Sequence, residues 1–380
     1  MSYPDDVPIL TDGVVTLRAH RPDDVDAVVE QSVDPVSVQW TTVPTPYHRS
    51  DGEEFVGLVI PQGWDDGDRW AFAVEARDDD GSPRYCGTVE LHDMGSERGE
   101  IAYGSHPWAR GRGLMHRALD LLLAWGFDDL GLRAVIWWAN RGNWASRRTA
   151  WRLGFTCDGT VERWLPQRGA LLDGWVGVLH HDDERAPRGT WYDVPRIVGE
   201  RVVLRAHRPE DAVRVQEACN DERTRYWFHA LPDPYPIEEA EKYLLTRMEQ
   251  RANGTGITWA VADPETDVLL ANISIFDVKP GREAEIGYWT HPAARGRGLM
   301  TEACGLVVRH AFVPEIGRAH VLQRLIIFAA EQNTASRHVI ESNGFVRIGT
   351  ERKGIRVRDG SLLNTACYDM LVEDYAASAG

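Results

Sequence analysis

Residues 285–303 read EIGYWTHPAARGRGLMTEA, and residues 100–118 read EIAYGSHPWARGRGLMHRA. Each stretch opens with an alternating apolar run, passes a His-Pro pair and turns through two glycines one residue apart. Beyond the turn, Leu114, Ala118, Leu121, Leu122 and Trp125 keep helical spacing. The spacing predicts strand, glycine-rich turn and helix, twice in one chain. Gly111 and Gly113, with Gly296 and Gly298, let the backbone turn tightly and come close to a ligand. The first turn of a helix has unpaired N–H groups and the positive end of the helix dipole. Together these make an anion site suited to phosphate. Arg110, Arg112, Arg295 and Arg297 add local positive charge. The plain alternative is a strand-to-helix turn with no ligand, and duplication of the loop in otherwise drifted copies argues against it. The chain lacks GxxxxGK[ST], so there is no Walker A loop. It also lacks GxGxxG followed by an acid within repeated βαβ units, so a dinucleotide fold is set aside.

Working outward, the repetition extends beyond the loop. Residues 7–24, VPILTDGVVTLRAHRPDD, align with residues 194–211, VPRIVGERVVLRAHRPED, with ten of eighteen positions identical. NWASRRTAWRLGF at 143–155 aligns with NTASRHVIESNGF at 333–345. Three matches in the same order at nearly constant offset mean one fold used twice, and a period this long makes each copy a domain rather than a solenoid repeat. The charged stretch 183–193, with Pro187 and Gly189, reads as a linker between domains 1–182 and 194–380. Within a copy, strands are predicted at 15–19, 70–76, 86–92, 98–106, 132–139 and near 171–179. Helices are predicted after Arg21, from Leu114 and from Asn143. The fold class is mixed α/β, a largely antiparallel sheet with helices over it.

The 380 residues include 42 basic and 58 acidic side chains, a formal charge of -16. So acidic a chain is not drawn to phosphate backbones by its overall field, and nucleic acid is disfavoured as a partner. Cys86, Cys157, Cys219, Cys304 and Cys367 are scattered, with no CxxC motif. They suit free thiols in a reducing cytosol. The N-terminus, MSYPDDVPIL, has neither the basic region nor the apolar core of a signal peptide. The longest apolar run, around Ala118–Phe127, is too short to span a bilayer. A cytoplasmic protein without membrane contact is expected. His180, His181, Asp182 and Asp183 sit together at a strand end and read as a charged turn rather than a metal site, so no metal is expected.

On these residues each half resembles the GNAT family of N-acetyltransferases, most closely the branch acting on ribosomal-protein N-termini. The resemblance rests on the two quoted stretches and on the N-x-A-S-R…GF segments, and it covers nearly the whole chain. The family motif Q/R-x-x-G-x-G/A matches at its glycines and departs at its first position, where Trp108 and Ala293 stand. The resemblance implies two tandem GNAT-like domains, each a mostly antiparallel twisted sheet flanked by helices, using acetyl-CoA. It implies that the pyrophosphate lies on the amides of Arg110, Gly111, Arg112, Gly113, Leu114 and Met115. In the second copy these are Arg295, Gly296, Arg297, Gly298, Leu299 and Met300. It also implies that the pantetheine arm pairs with the strand end at Gly104, Ser105 and His106, and at Thr290 and His291.

Acetyl transfer to an amine needs a base for the amine, polarisation of the thioester carbonyl and a proton for the leaving thiolate. Glu100 and Glu285 occupy matching places before the loop and match the family's general base. A half-buried glutamate with a raised pKa can serve near neutral pH. The alternative is a sheet residue paired with an arginine. Asn143 and Ser146, with Asn333 and Ser336, form N-x-x-S at a helix start, where Asn is a favoured N-cap. By resemblance the same stretch contacts the cofactor and the serine can donate a proton to sulfur. Tyr368 is a weaker candidate donor, with Trp175 nearby in the first copy. Glu90 and His92, aligned with Ser274 and Phe276, could wall an acceptor site. So could Trp137 and Trp138, since eleven of fifteen tryptophans precede residue 180.

The reading is a tandem acetyl-CoA-dependent N-acetyltransferase acting on a small-molecule amine or a peptide N-terminus, with catalysis assigned to the second copy. The alternative is an acyl-CoA-binding sensor or scaffold with one or both domains silent. Either a monomer with an internal pseudo-dimer or a homodimer is expected.

Overall fold

The computed structural model describes residues 7–313 and 322–379. The chain forms two compact units, Met1–Arg188 and Gly189–Gly380. The first contains β1 (Leu10–Thr11), β2 (Val15–Arg18), β3 (Arg69–Arg77), β4 (Pro83–Asp93), β5 (Arg98–Ser105), β6 (Ala134–Asn140), β7 (Gly159–Gln167) and β8 (Ala170–His180). Its helices are α1 (Val25–Val33), α2 (Pro35–Trp40), α3 (Arg49–Glu54), α4 (Ile60–Asp66), α5 (Leu114–Asp128) and α6 (Trp144–Arg152). The second contains β9 (Ile197–Val198), β10 (Val203–Arg205), β11 (Gly256–Ala262), β12 (Leu269–Lys279), β13 (Glu283–Thr290), β14 (Arg324–Ala330), β15 (Val346–Arg356) and β16 (Leu362–Leu371). Its helices are α7 (Asp211–Asn220), α8 (Glu222–Trp227), α9 (Ile237–Ala252), α10 (Leu299–Phe312), α11 (Thr334–Ser342) and α12 (Val372–Ala379).

The sheets share one topology. The orders are β1-β2-β3-β4-β5-β6-β8-β7 and β9-β10-β11-β12-β13-β14-β16-β15. All pairings are antiparallel except β5–β6 and β13–β14. These parallel pairs are short. β5 meets β6 only from Arg98 to Ile101, and β13 meets β14 only from Glu283 to Glu285. Beyond those points the edges of Ala102–Ser105 and Ile286–Thr290 face no strand. A cleft opens there in the middle of each sheet.

Of the apolar positions expected on α5, Leu114, Ala118, Leu122 and Trp125 are buried and Leu121 is half-buried, and Leu119 and Leu123 widen the face. Leu114, Ala118, Leu119, Leu122 and Leu123 are buried against Phe72, Val89 and Leu91 of the sheet. Each fully buried leucine contributes about 1.5–3 kcal/mol. The duplicated LRAHRP motif is a clamp. Arg18 donates to both oxygens of Asp24, at 2.8 and 2.9 Å, and to Glu75 at 2.9 Å. Arg205 does the same with Asp211, at 2.8 and 2.9 Å, and with Asp267 at 2.7 Å. Asp24 and Asp211 also accept the amides of Arg21 and Arg208, which starts the following helix. Burial alone would raise the Asp24 carboxyl, but Arg18 and the Arg21 amide hold it below its ordinary value.

The sequence reading contains no strand at β7 or β15. Both are mostly exposed and lack apolar alternation, and they form only because β8 and β16 offer an edge to pair with. The units divide within the 183–193 stretch. Its end packs on the second unit, with Trp191 buried and the Tyr192 amide donating to the Arg251 carbonyl at 2.9 Å. Among the described residues no helix is long and apolar enough to cross a membrane. His180 bonds Asp183 through its amide at 2.7 Å and its ring at 3.2 Å, which closes a turn.

Candidate active site

In both units the cleft begins where strand turns into glycine loop. Gly113 has φ 76° and Gly298 has φ 71°, each as the residue before a long helix, and neither helix has a side-chain cap. The first amides of α5 and α10 are therefore open to a ligand. A β-carbon on Gly111, Gly113 or Gly296 would meet nothing within 4 Å. The space above the loop is empty of protein, and the positive φ favours glycine there. An uncapped helix start under a bare glycine turn fits a pyrophosphate group.

The arginines of the loop do not all point where the sequence suggests. Arg110 bonds Asp34, the cap of α2, at 2.6 Å and the Ser37 hydroxyl at 3.0 Å. Arg295 bonds Asp221, the cap of α8, at 2.6 Å and the Thr224 hydroxyl at 2.7 Å. Both tie the loop to a short helix beside it, because a helix cap is a fixed carboxylate within reach. Arg112 makes two bonds to Asp79, at 2.8 and 3.0 Å, and stacks over Trp108. Arg297 is exposed and makes no ion pair among the described residues. The loop itself is braced in the second unit, where Arg201 donates to the Arg297 carbonyl at 2.9 Å and to Glu302 at 3.0 Å. Leu114 and Leu299 are buried beneath their loops, as is Met300, while Met115 is half-buried.

His106 and His291 stand at the strand ends beside the loop. Their amides donate to the carbonyls of Cys86 and Leu270, at 2.7 and 2.9 Å. Their carbonyls accept from Ala109 and Ala294, at 3.0 and 2.9 Å. The turn into the loop thus uses the amide of each histidine and one lone pair of its carbonyl. Their rings contact Glu30 at 3.3 Å and Glu217 at 3.0 Å. The open strand edge ends at Ser105 and Thr290.

Across the cleft, the Asn143 and Asn333 side chains accept the amides of Ser146 and Ser336, each at 3.2 Å, and so cap α6 and α11. Ser146 Oγ lies 2.7 Å from Tyr103 Oη, and Ser336 Oγ lies 3.0 Å from Tyr288 Oη. Neither tyrosine is singled out by the sequence reading. The signal was available: both sit three residues after the aligned glutamates. In the first unit Trp137 Nε1 also donates to Ser146 at 3.1 Å, where the second unit has Ile327. Burial pushes the Tyr103 hydroxyl up to about 12, and burial raises that of Tyr288 also. Both stay protonated at neutral pH. Tyr368 is buried, bonded to Glu341 at 2.8 Å and Arg337 at 3.0 Å, and lines neither cavity described below.

Two cavities adjoin in the second unit. One, of about 460 Å³, lies over the glycine loop and includes Gly296, Gly298, Arg295 and Met300. The other, of about 410 Å³, includes Glu285, Asn272, Ser274, Tyr243 and Arg247. Both are lined by Thr224, Trp227, Phe228, Tyr288, Asn333 and Ser336. Glu285 is half-buried, and burial together with the charge of Asp277 raises its carboxyl to about 7. Asp277 has φ 50° beside a bulge between Phe276 and Lys279. The β4–β5 pairing has no such bulge, and His92 stands opposite Glu100 there.

The candidate acceptor wall of the first unit is an internal network. Glu90 accepts from Arg69 at 2.6 Å and bonds His92 at 2.9 Å. Burial raises its carboxyl, and His92 and Arg69 outweigh that and leave it lowered. Trp137 is buried in the core, and Trp138 packs near Trp164 with ring centres 6.4 Å apart. Trp175 is core too, with the Arg147 guanidinium 4.5 Å from its ring centre.

The profile of the acetyltransferase (GNAT) domain matches residues 15–156 and again residues 201–346. The chain belongs to the GNAT acetyltransferase family. It is an N-acetyltransferase, and acetyl-CoA is its acyl donor. YdaF of Bacillus subtilis (strain 168), which carries the name of a ribosomal N-acetyltransferase, is 29% identical over 182 residues, covering 47% of this chain and 95% of its own. The ribosomal-protein-serine acetyltransferase of Escherichia coli (strain K12) is 28% identical over 105 residues, covering 27% of this chain and 52% of its own. A solved structure of a ribosomal L7/L12 alpha-N-protein acetyltransferase in complex with coenzyme A is 18% identical. It covers 48% of this chain and 98% of that one, with a TM-score of 0.41. As a GNAT protein, this chain carries the domain twice.

Proposed function

We propose that the second unit performs the acetyl transfer, on a primary amine bound in the 410 Å³ cavity. The observation that carries this reading is Glu285. It lines that cavity, its carboxyl is raised to about 7, and the glycine-loop cavity adjoins it. A base poised near working pH both accepts a proton and remains partly deprotonated. Acetyl-CoA supplies the thioester. The amides from Gly296 to Met300 would hold its pyrophosphate, and the open edge of Ile286–Thr290 would pair with its pantetheine arm. Glu285 takes the proton that the amine loses. The Ser336 hydroxyl, backed by Tyr288, is placed to give the leaving sulfur its proton. Gly111, Gly113 and the edge of Ala102–Ser105 support acetyl-CoA binding in the first unit as well. There, Ser146 is engaged by both Tyr103 and Trp137, and Glu90 by Arg69 and His92. We assign that unit a binding or separately specific role.

We place the reaction in a reducing cytosol, consistent with five free thiols. The acceptor is a small molecule or a peptide N-terminus. The test is an amine panel with free thiol release as readout. Release that depends on both amine and acetyl-CoA supports the assignment, and binding of CoA without turnover of any amine supports the sensor reading instead.

A further inference from the structure

The acceptor cavity holds a cation that the chemistry above does not use. Arg247 stands on α9 with its guanidinium carbon 5.0 Å from the centre of the Tyr243 ring, and both line the cavity. Its Nε is buried without a hydrogen-bond partner, and no described carboxylate pairs with it. Several other half-buried or buried arginines of this unit, Arg205, Arg214, Arg295, Arg324 and Arg337, are ion-paired. Arg247 is half-buried as a residue, and a buried polar atom such as its Nε is normally hydrogen-bonded. On the same cavity wall, Asn272 is 2% exposed and its Oδ1 has no partner. Its Nδ2 donates to Ser274 Oγ at 3.3 Å, so the orientation of the amide leaves the oxygen free. One unpaired cation and one unpaired acceptor thus face the same space. Apart from Glu285 and the hydroxyl and amide groups already named, the wall is mainly aromatic or apolar, including Trp227, Phe228, Phe276 and Phe328.

We infer that the acceptor is a small primary amine bearing a carboxylate on an apolar or aromatic body, with the carboxylate on Arg247 and the amine towards Glu285. This rests on the reading of this cavity as the acceptor site. The planar guanidinium fork matches a carboxylate in two parallel bonds. The cavity volume, about 410 Å³, lies in the range of small-ligand sites. An uncharged peptide N-terminus leaves Arg247 unpaired.

The test uses matched pairs that differ by one carboxylate: phenylalanine against phenethylamine, leucine against isoamylamine, and tryptophan against tryptamine. Thiol release and calorimetric binding to the CoA-loaded full chain are measured for wild type, Arg247→Ala and Arg247→Lys, with CoA affinity and melting temperature as controls of folding. In wild type the carboxylate member of at least one pair is preferred by about tenfold or more, because an unmatched buried polar group penalises the analogue lacking its partner. In Arg247→Ala that preference falls towards one, and Arg247→Lys keeps part of it. Neutral members preferred or equal in every pair would overturn the inference, as would an unchanged ratio in Arg247→Ala. If no amine is turned over while the carboxylate member still binds selectively through Arg247, the substrate class stands and the catalytic assignment of Glu285 fails.

Discussion

At residue scale the account turns on why two aligned glutamates differ. Glu285 has Phe276 opposite it on β12 and Asp277 just beyond, at the bulge that precedes the turn into β13. Burial and the Asp277 charge together push its proton affinity up. Asp277→Asn removes the second cause. The ascending limb of kcat/KM against pH, expected near 7, should move to lower pH in this variant, and an unmoved limb would show that another group sets it. The raised carboxyl also bears on stability. Between its ordinary value and about 7 the folded protein binds the proton that the unfolded chain has released, so this group's contribution falls as pH rises through that window. Glu285→Gln should therefore raise the melting temperature relative to wild type above pH 7 and leave the difference small below pH 4.5. The glutamates themselves were readable from the aligned stretches. The bulge at Asp277 was not, because it depends on how β12 pairs with β13 and no local pattern marks it. Nor was Arg247, which comes from a helix whose sequence carries no motif and matters only by where it packs.

Elements explain what the repeated motifs do. LRAHRP with its following acid recurs because strand, buried ion pair and helix start are one unit of structure. Removing one partner of a buried pair leaves the other charge uncompensated, at a cost of about 3–5 kcal/mol. Arg205→Ala should lower the stability of the second unit by that order in denaturant melts, and a change below about 1 kcal/mol, the surface-pair range, would contradict the clamp. The glycine loop works through backbone conformation. Gly298→Trp should abolish CoA binding in the second unit while far-UV circular dichroism is retained, since the loop amides face open space beside the cavity. Normal affinity in that unit would remove the phosphate reading. These elements were legible because strand, glycine turn and helix follow from alternation and spacing alone. β7 and β15 were not, since nothing in their own composition demands a strand, only the edges they pair with. The bonds of His106 and His291 were not legible for a related reason: they lie at the strand end, where the turn into the loop engages their amides and carbonyls.

At the scale of the whole molecule, two copies of one fold have kept the cofactor cradle and diverged around it. The first copy spends its polar residues on itself, through Arg69, Glu90, His92 and the Trp137–Ser146 bond. The second leaves Glu285, Arg247 and Asn272 facing a cavity. Trp137 is buried in the core, whereas Trp227, Phe228, Phe276 and Phe328 line the cavity of the second unit, so burial rather than abundance decides which rings face a space. The most direct test is turnover at saturating acetyl-CoA in Glu285→Gln and Glu100→Gln. The account predicts that Glu285→Gln lowers kcat by about 100-fold or more, as loss of a general base does, while Glu100→Gln stays close to wild type. Loss of turnover in Glu100→Gln with Glu285→Gln intact, or no change in either, would contradict it.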